Sequence, residues 1–541
     1  MLDFAGAFDN VARKFIWPKL KKMNVPAWLI SSFSKLFSQI LGKVRLHEKD
    51  TATFEINKGV VQGSISGPLL FLAFIDDLLS SLHELGLGTL NFGNTDLFSL
   101  GIRLTDKLII SCLGFADDIN LISKTPEGLQ ALLNRAAKWA KNNNMTYGLD
   151  KCYILVFNQQ FAKCKYNFFL DGKKIQRINL KNNKGPKYLG LYTSNALTKN
   201  SDPHKVQPDP QYHKDCIKKL KQMRGKCLKA GIKAGGLNPN ICAPLYKVML
   251  RSLLTFAMEI IDYHEKQLDS LEVAPSLHKM IGAHPRCSRA ILRVLMGVEP
   301  IEARFAFSHL CYLSKIASDD PSTPTNQIYK KYRDSKTKLP PFFSTSDLLL
   351  KKYGIASERL EIPFSLSPNQ KKNLLKKPIF DFHYNLDVAE ILEKPTLFSD
   401  LMKEIPNTTD RTGSVFPFCG PHALIRSLRH YHGPRSSISK IMRAWTTPFA
   451  IGGPCPYCER QSESLMSHII FFCPKKTEPR NNYLSTLPPS LRAVWPDMTN
   501  FFSRGAPLSD HQFLVSFNEF LSLVSPSEIF YAPTEQDGNP R

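Results

Sequence analysis

Residues 108–124, LIISCLGFADDINLISK, constrain the fold more than any other stretch. Two short apolar or β-branched runs, IISCLGF and INLIS, flank an adjacent pair of carboxylates, Asp117 and Asp118. Such runs read as the arms of a β-hairpin, with a tight turn at Ala116–Asp118 holding both acids at its tip. Carboxylates withdrawn from water cost free energy unless a positive partner meets them. The pair therefore reads either as a solvated turn or as half of a cation-binding centre.

Two upstream segments favour the second reading. The chain opens with LDFAGAFDNV, in which Asp3 follows an apolar residue and Phe8, Val11 and Phe15 take helical spacing. Asp3 can cap that helix or project from a strand end into a shared site. Residues 58–78, KGVVQGSISGPLLFLAFIDDL, run from a glycine-punctuated loop straight into an apolar helix, with Pro68 suited to its first turn. Glycine there permits close approach of a flat base or a sugar-phosphate to the backbone, or serves as plain helix-entry punctuation.

In this order, DFAGAFD, GVVQGSISGPLLF and FADD resemble the palm of reverse transcriptases from non-LTR (LINE-type) retrotransposons. WAKNNNMTYGLDKCYILVF (139–157) is similar to the family segment that follows, and KYLGL (187–191) to its primer-grip turn. The resemblance implies an α+β fold: a palm with a ferredoxin-like antiparallel sheet and helices, then a helical thumb and a small zinc-binding C-terminal region. It implies RNA-directed DNA synthesis, with RNA template, DNA primer or target and dNTPs as partners. Asp3, Asp117 and Asp118 would hold two catalytic Mg²⁺ ions, hard cations that prefer oxygen ligands. Lys151 would donate a proton to the leaving pyrophosphate, or is simply a surface lysine. Phe8 would block a ribose 2′-hydroxyl, pack in the core, or do both. Gln62 and Gly63 would lie near nucleotide or template.

The chain departs from the family pattern at Val61, where proline is usual, and at Gly148, where asparagine is common. Only Met1 and Leu2 precede Asp3, so the strand carrying it is short and the basic fingers are missing. The expectation is a front-truncated enzyme whose Asp3 is not held within the ~0.5 Å tolerance of a catalytic group, leaving it inactive or nearly so. A non-catalytic nucleic-acid-binding remnant is the alternative.

Net charge is +24 and pI about 9.4, which calls for an acidic partner. No apolar run approaches the ~18–20 residues of a spanning helix, and the acidic N-terminus is unlike a signal peptide. A membrane role and secretion are therefore not expected. Nuclear action, with the cytoplasm as the alternative, follows only from the family's chemistry. Residues 211–234 read as a basic amphipathic helix, with Ile217, Leu220, Met223 and Leu228 inward and Lys214, Lys218, Lys221, Arg224 and Lys229 outward. It is either a solvated face or the thumb helix that tracks a phosphate backbone. Residues 452–475 place Cys455, Cys458, His468 and Cys473 as C-x-x-C…H-x-x-x-x-C. Three thiolates and an imidazole suit a closed tetrahedral structural Zn²⁺ site, with Ile469, Phe471 and Phe472 as its small core. The resulting division is 1–195 palm, 200–316 thumb, 317–345 linker, 346–445 unassigned, 446–480 zinc knuckle, and 481–541 helices with a disordered tail.

Overall fold

Helix Ser66–Leu87 runs through the first of two units, which comprises residues 1–202 and 320–334; the second comprises 203–319 and 335–541. The computed structural model describes residues 1–46, 49–87, 89–90, 98–99, 101–104, 108–156, 166–178, 186–192, 210–229, 244–261, 263, 265–271, 283, 286–333, 341–357, 360, 368–393, 396–397, 399, 441, 444–447, 452–495 and 511–525. The C-terminal tail and most of 394–440 lie outside that set.

In the first unit, Phe71, Phe74, Ile75, Leu78 and Leu82 recur at helical spacing and are all buried, giving Ser66–Leu87 (α2) one continuous apolar face. It packs on Ile16–Lys22 (α1), on Pro126–Asn142 (α3) and on strand Cys112–Phe115 (β1). The Thr125 hydroxyl caps α3 by accepting from the Gly128 amide at 3.1 Å, with Pro126 in the first turn. Lys19 of α1 binds the three helices together: its ammonium donates to the Phe74 carbonyl (2.6 Å) and to Asp77 (2.8 Å), which also accepts from the Trp139 indole at 2.9 Å.

β1 pairs antiparallel with Asp118–Leu121 (β2), Phe115 opposite Asp118, which is the hairpin the sequence predicts. Ala116 opens its two-residue loop at φ 52°, the left-handed conformation that tight hairpin turns demand of their first residue. Tyr153–Leu155 (β3) and Gln176–Ile178 (β4) form a separate two-stranded sheet, paired in parallel. Lys187–Tyr188 (β5) and Leu191–Tyr192 (β6) form a small hairpin turned by Leu189 and Gly190, both at positive φ.

The stretch read as a linker, 317–345, carries structure instead. Helix Pro324–Arg333 belongs to the first unit and buries Asn326 and Tyr329; helix Pro341–Lys352 follows in the second. Its Pro/Ser/Thr content is capping chemistry: Asp320 accepts from the Ser322 amide (2.8 Å) and Thr323 from the Asn326 amide (3.3 Å).

The second unit is helical in the region expected to be so. Arg289–Met296 is capped by Ser288 and ends at Gly297 in the left-handed conformation. It packs on Pro368–Glu393, where the Arg293 guanidinium grips Asp387 with two donors. Helix Pro210–Lys229 keeps Lys214, Lys218, Lys221 and Lys229 exposed and Arg224 half-buried. Its inward stripe is Tyr212, Cys216, Leu220 and Cys227; Ile217 and Met223 sit at the margin, and the Leu228 side chain is outside the described set. The stripe is rotated because cysteine acts as a small hydrophobe.

Candidate active site

Alternation along two neighbouring extended segments brings the acids to one face. Leu2 bridges Ile119 in β2, with hydrogen bonds of 2.7 and 3.2 Å, and Phe4 bridges Tyr147. Leu2, Phe4 and Ile119 point into the core at 1%, 2% and 0% exposure, so Asp3 and Asp118 share the opposite face. Asp117 occupies the loop beside them.

The expectation that so short a strand leaves Asp3 unheld is overturned. Its carbonyl accepts from the Gly148 amide at 2.9 Å and its amide meets the Cys152 sulfur at 3.5 Å. The segment is hydrogen-bonded on both sides, to Ile119 through Leu2 and to Gly148 through Asp3.

Charge at this centre is unbalanced. Asp3 Oδ2 is buried with no hydrogen-bond partner, and Lys151 Nζ lies 3.4 Å away on a mostly exposed side chain. Burial, then the charges of Asp117 and Asp3, raise the Asp118 carboxyl above the ordinary carboxylate range. Three neighbouring acids, one with a buried oxygen that makes no hydrogen bond, fit the donor set of a hard divalent cation. Gly148 leaves the space above Asp3 open, since a Cβ there would sit 3.6 Å from Oδ2.

Around the acids stand residues that motif reasoning passed over. Tyr153 is pushed up to about 12 by burial and by Asp118 and Asp3, and burial with Asp118 also raises Tyr188 of β5. Asn120, which shares Asp118's face by period-two alternation, hydrogen-bonds Tyr188. That alternation was the available signal for Asn120; nothing local marks Tyr153.

The glycine loop lies against the opening segment. Val60 donates to the Phe8 carbonyl and Gly59 to that of Val11, both at 2.8 Å. Gly59 has φ 87°, and a Cβ would meet the Asp9 carbonyl at 2.8 Å, so no other residue fits. Gly63, at φ 85°, faces open space, while the exposed Gln62 amide donates to Asp9 at 3.1 Å. Phe8 is half-buried and stacks on Phe71 at 4.4 Å, so it packs while keeping part of its ring accessible.

In the second unit the four Cys/His residues converge, with one potential ligand atom from each lying within 4.8 Å of the others. Cys455 and Cys458 sit on the turn between Gly453–Pro454 (β7) and Gln461–Ser462 (β8), closed by Cys455 N–H to the Arg460 carbonyl at 2.9 Å. His468 opens a π-turn over His468–Phe472, and the Cys473 amide donates five residues back to the His468 carbonyl at 2.7 Å. That wider turn brings a five-residue spacing onto one side, where an α-turn would not. Cys455 and Cys473 sulfurs are 3.7 Å apart, close to the ~3.8 Å that tetrahedral 2.3 Å bonds impose. Cys458 sulfur is 3.2 Å from His468 Nε2. Burial, then Arg460 and Arg480, lower the His468 pKa and keep the imidazole neutral, as a ligand must be. Of the expected small core, Ile469 and Phe471 are buried, but Phe472 is 57% exposed and Ile470 takes its place.

Comparisons with known proteins cover the part of the chain that holds the acidic residues. The sequence model of the family described as reverse transcriptase (RNA-dependent DNA polymerase) matches residues 1–193. The chain is 24% identical over 195 residues to the retrovirus-related Pol polyprotein from type-2 retrotransposable element R2DM of Drosophila melanogaster, covering 35% of the chain and 17% of that protein. It is 23% identical over 203 residues to the Pol polyprotein from type-1 retrotransposable element R2 of Popillia japonica, covering 37% and 31%. The RNA-directed DNA polymerase from mobile element jockey of Drosophila melanogaster is 24% identical over 203 residues, covering 36% and 19%. The aligned parts thus span less than a third of each of these relatives. Residues 1–193, which carry Asp3, Asp117 and Asp118, are a reverse-transcriptase domain, similar to those of non-LTR retrotransposon polymerases.

Proposed function

We propose that this chain copies RNA into DNA, extending a DNA primer 3′-hydroxyl with dNTPs at the Asp3–Asp117–Asp118 centre. The observation that carries this is the shared face of Asp3 and Asp118 with its orphaned buried oxygen, in the segment the family model matches. Asp3, Asp117 and Asp118 are the residues that would hold Mg²⁺, which when bound neutralises phosphate charge and acidifies the primer hydroxyl. Phe8, braced by Phe71, offers a ring edge against which a ribose 2′-hydroxyl is excluded. Lys151 holds a proton at Nζ beside Asp3 and surrenders it to the departing pyrophosphate. Gln62 and the open backbone at Gly63 lie on the nucleotide and template side. The hairpin over residues 187–192 serves as the primer-grip turn of the palm.

The test is template-directed dNTP incorporation by the full chain against Asp117→Asn and Asp118→Asn. Each substitution should remove at least on the order of 10³-fold of the rate while leaving the circular dichroism spectrum unchanged. A variant within a few-fold of the parent would end the assignment.

Helix Pro210–Lys229 acts as the thumb, its Lys218, Lys221 and Arg224 tracking duplex phosphates. Replacing the three with glutamine should flatten the slope of log affinity against log salt by about 2–3, at roughly 0.9 per phosphate; an unchanged slope would remove the helix from the interface. The Cys455–Cys458–His468–Cys473 cluster binds structural Zn²⁺, the metal that suits a closed three-sulfur, one-nitrogen tetrahedron. The place of action is the nucleus, where a chromosomal primer end is found; a nuclear exclusion of the tagged chain would refute it.

A further inference from the structure

A buried cation lies against the Cys/His cluster with no carboxylate to meet it. Arg480, on helix Thr477–Ser485, is only 9% exposed. Its Nε donates to the Ile470 carbonyl at 3.1 Å and its Nη2 to the Cys473 carbonyl at 2.8 Å. Among the described residues no aspartate or glutamate forms an ion pair with it. Elsewhere among the described residues of the same unit, the buried Arg251 pairs with Glu299 and the half-buried Arg293 with Asp387.

Two backbone carbonyls are neutral and can be satisfied by any neutral donor. A guanidinium placed there is costly unless negative charge lies nearby. Arg480 is held against Cys473, whose carbonyl it binds and whose side chain is wholly buried in the cluster. With Zn²⁺ in place the charges change. Three thiolates, one neutral imidazole and a divalent ion sum to one negative charge, and one guanidinium cancels it.

We propose that Arg480 is the charge-balancing and positioning residue of the Cys/His centre, neutralising the single negative charge of a zinc-loaded cluster while bracing the π-turn that carries His468 and Cys473. Arg460, near the same ligands, is exposed, so water screens most of its charge. This inference rests on the zinc reading above.

The experiment compares the full chain with Arg480→Gln and Arg480→Lys. Zn²⁺ stoichiometry and affinity are measured by competition with a chromogenic chelator, and the Co²⁺-substituted protein is scanned for its thiolate charge-transfer band. The parent should bind one Zn²⁺ at the cluster. Glutamine keeps a donor but not the charge, so Arg480→Gln should lose on the order of 10- to 100-fold in Zn²⁺ affinity. Arg480→Lys, which keeps the charge, should retain most of it. Equal affinity in the parent and Arg480→Gln would overturn the role of Arg480 and leave the zinc site standing. A parent that takes up neither metal would instead overturn the zinc reading. Where Arg480→Gln does not fold, Arg480→Lys decides: near-parental affinity supports charge balance, and a tenfold or greater loss assigns Arg480 to hydrogen bonding alone.

Discussion

The two candidate metal centres are built in opposite ways. The acidic centre is assembled over long range: Asp3 meets Asp117 and Asp118 through a bridge between Leu2 and Ile119, and Lys151 arrives from a further turn. Its ligands are oxygens that repel one another at the open face of an apolar core. The Cys/His cluster is local, drawn from residues 455–473, and its cysteines are sunk to 1% and 0% exposure at Cys455 and Cys473. One centre is imposed on a cation by a fold that exists without it. The other rests on an apolar layer of its own, with Phe471 against Trp495 at 4.8 Å and Ile469 and Ile470 buried, and draws all its potential ligand atoms from one short segment, so a metal bound there would add directly to folding free energy.

Removing metal should separate them most sharply. Stripping Zn²⁺ with a strong chelator should unfold the β7–β8 hairpin and the π-turn, since apparent binding energies of structural zinc are roughly 10–16 kcal/mol. Hydrogen exchange would read this as lost protection at the Cys455 and Cys473 amides, which now donate to Arg460 and His468 carbonyls. Withholding Mg²⁺ should leave the Leu2 and Ile119 amides as protected as before. Equal loss of protection at both places would erase the distinction.

Where the acidic centre draws its strength is a second way to press the comparison. Its strands rest on α2, whose Phe74 is fully buried and meets Trp139 edge-on at 5.4 Å. Phe74→Ala should cost about 3–5 kcal/mol as a cavity opens under the acids, visible as a lower denaturant midpoint whether or not Mg²⁺ is present. A cost under about 1 kcal/mol would mean that the core relaxes around the gap and that the acids are not supported from below.

The same contrast explains what sequence alone could reach. Hairpin β1–β2 was legible because Phe115 to Leu121 carries its own turn and its own alternation. The Cys/His set was legible because its spacing is short and its chemistry specific. Asp3 was identified from a motif, but its anchoring was misjudged, because hydrogen bonds to Ile119 and Gly148 are invisible to a reading that asks only how long a strand is. Phe472 was placed in the core with Ile469 and Phe471 because all three are apolar residues between the ligands; on the π-turn it faces solvent. The supposed linker failed for a related reason, since Asp320 and Thr323 use the composition of a loop to start a helix. Arg480 carried no signal at all: an arginine in a helix is ordinary until its burial is known.

The smallest expected effect is the most telling of the three, because it runs against intuition. Asp118 is held above the ordinary carboxylate range first by burial and then by Asp117 and Asp3. The folded chain therefore binds this proton more tightly than the unfolded chain does. Its stability falls as pH rises from the unfolded carboxylate value near ~3.9 through the raised folded one. At neutral pH without metal, the ionised Asp118 is then a small liability, and Asp118→Asn should raise the melting temperature slightly even as it removes activity. The gain should vanish on acidification below that window, where the parent's carboxyl is already neutral. Mg²⁺ should reverse the order by stabilising the parent and not the variant. An acid that costs stability until a cation arrives would mark a site shaped for that cation. The cysteine cluster offers no such exchange, since Cys473→Ser should lose stability at every pH where zinc is bound. If Asp118→Asn is destabilising without metal at neutral pH, Asp118 is a structural acid, and the contrast between the two centres fails at its most exposed point.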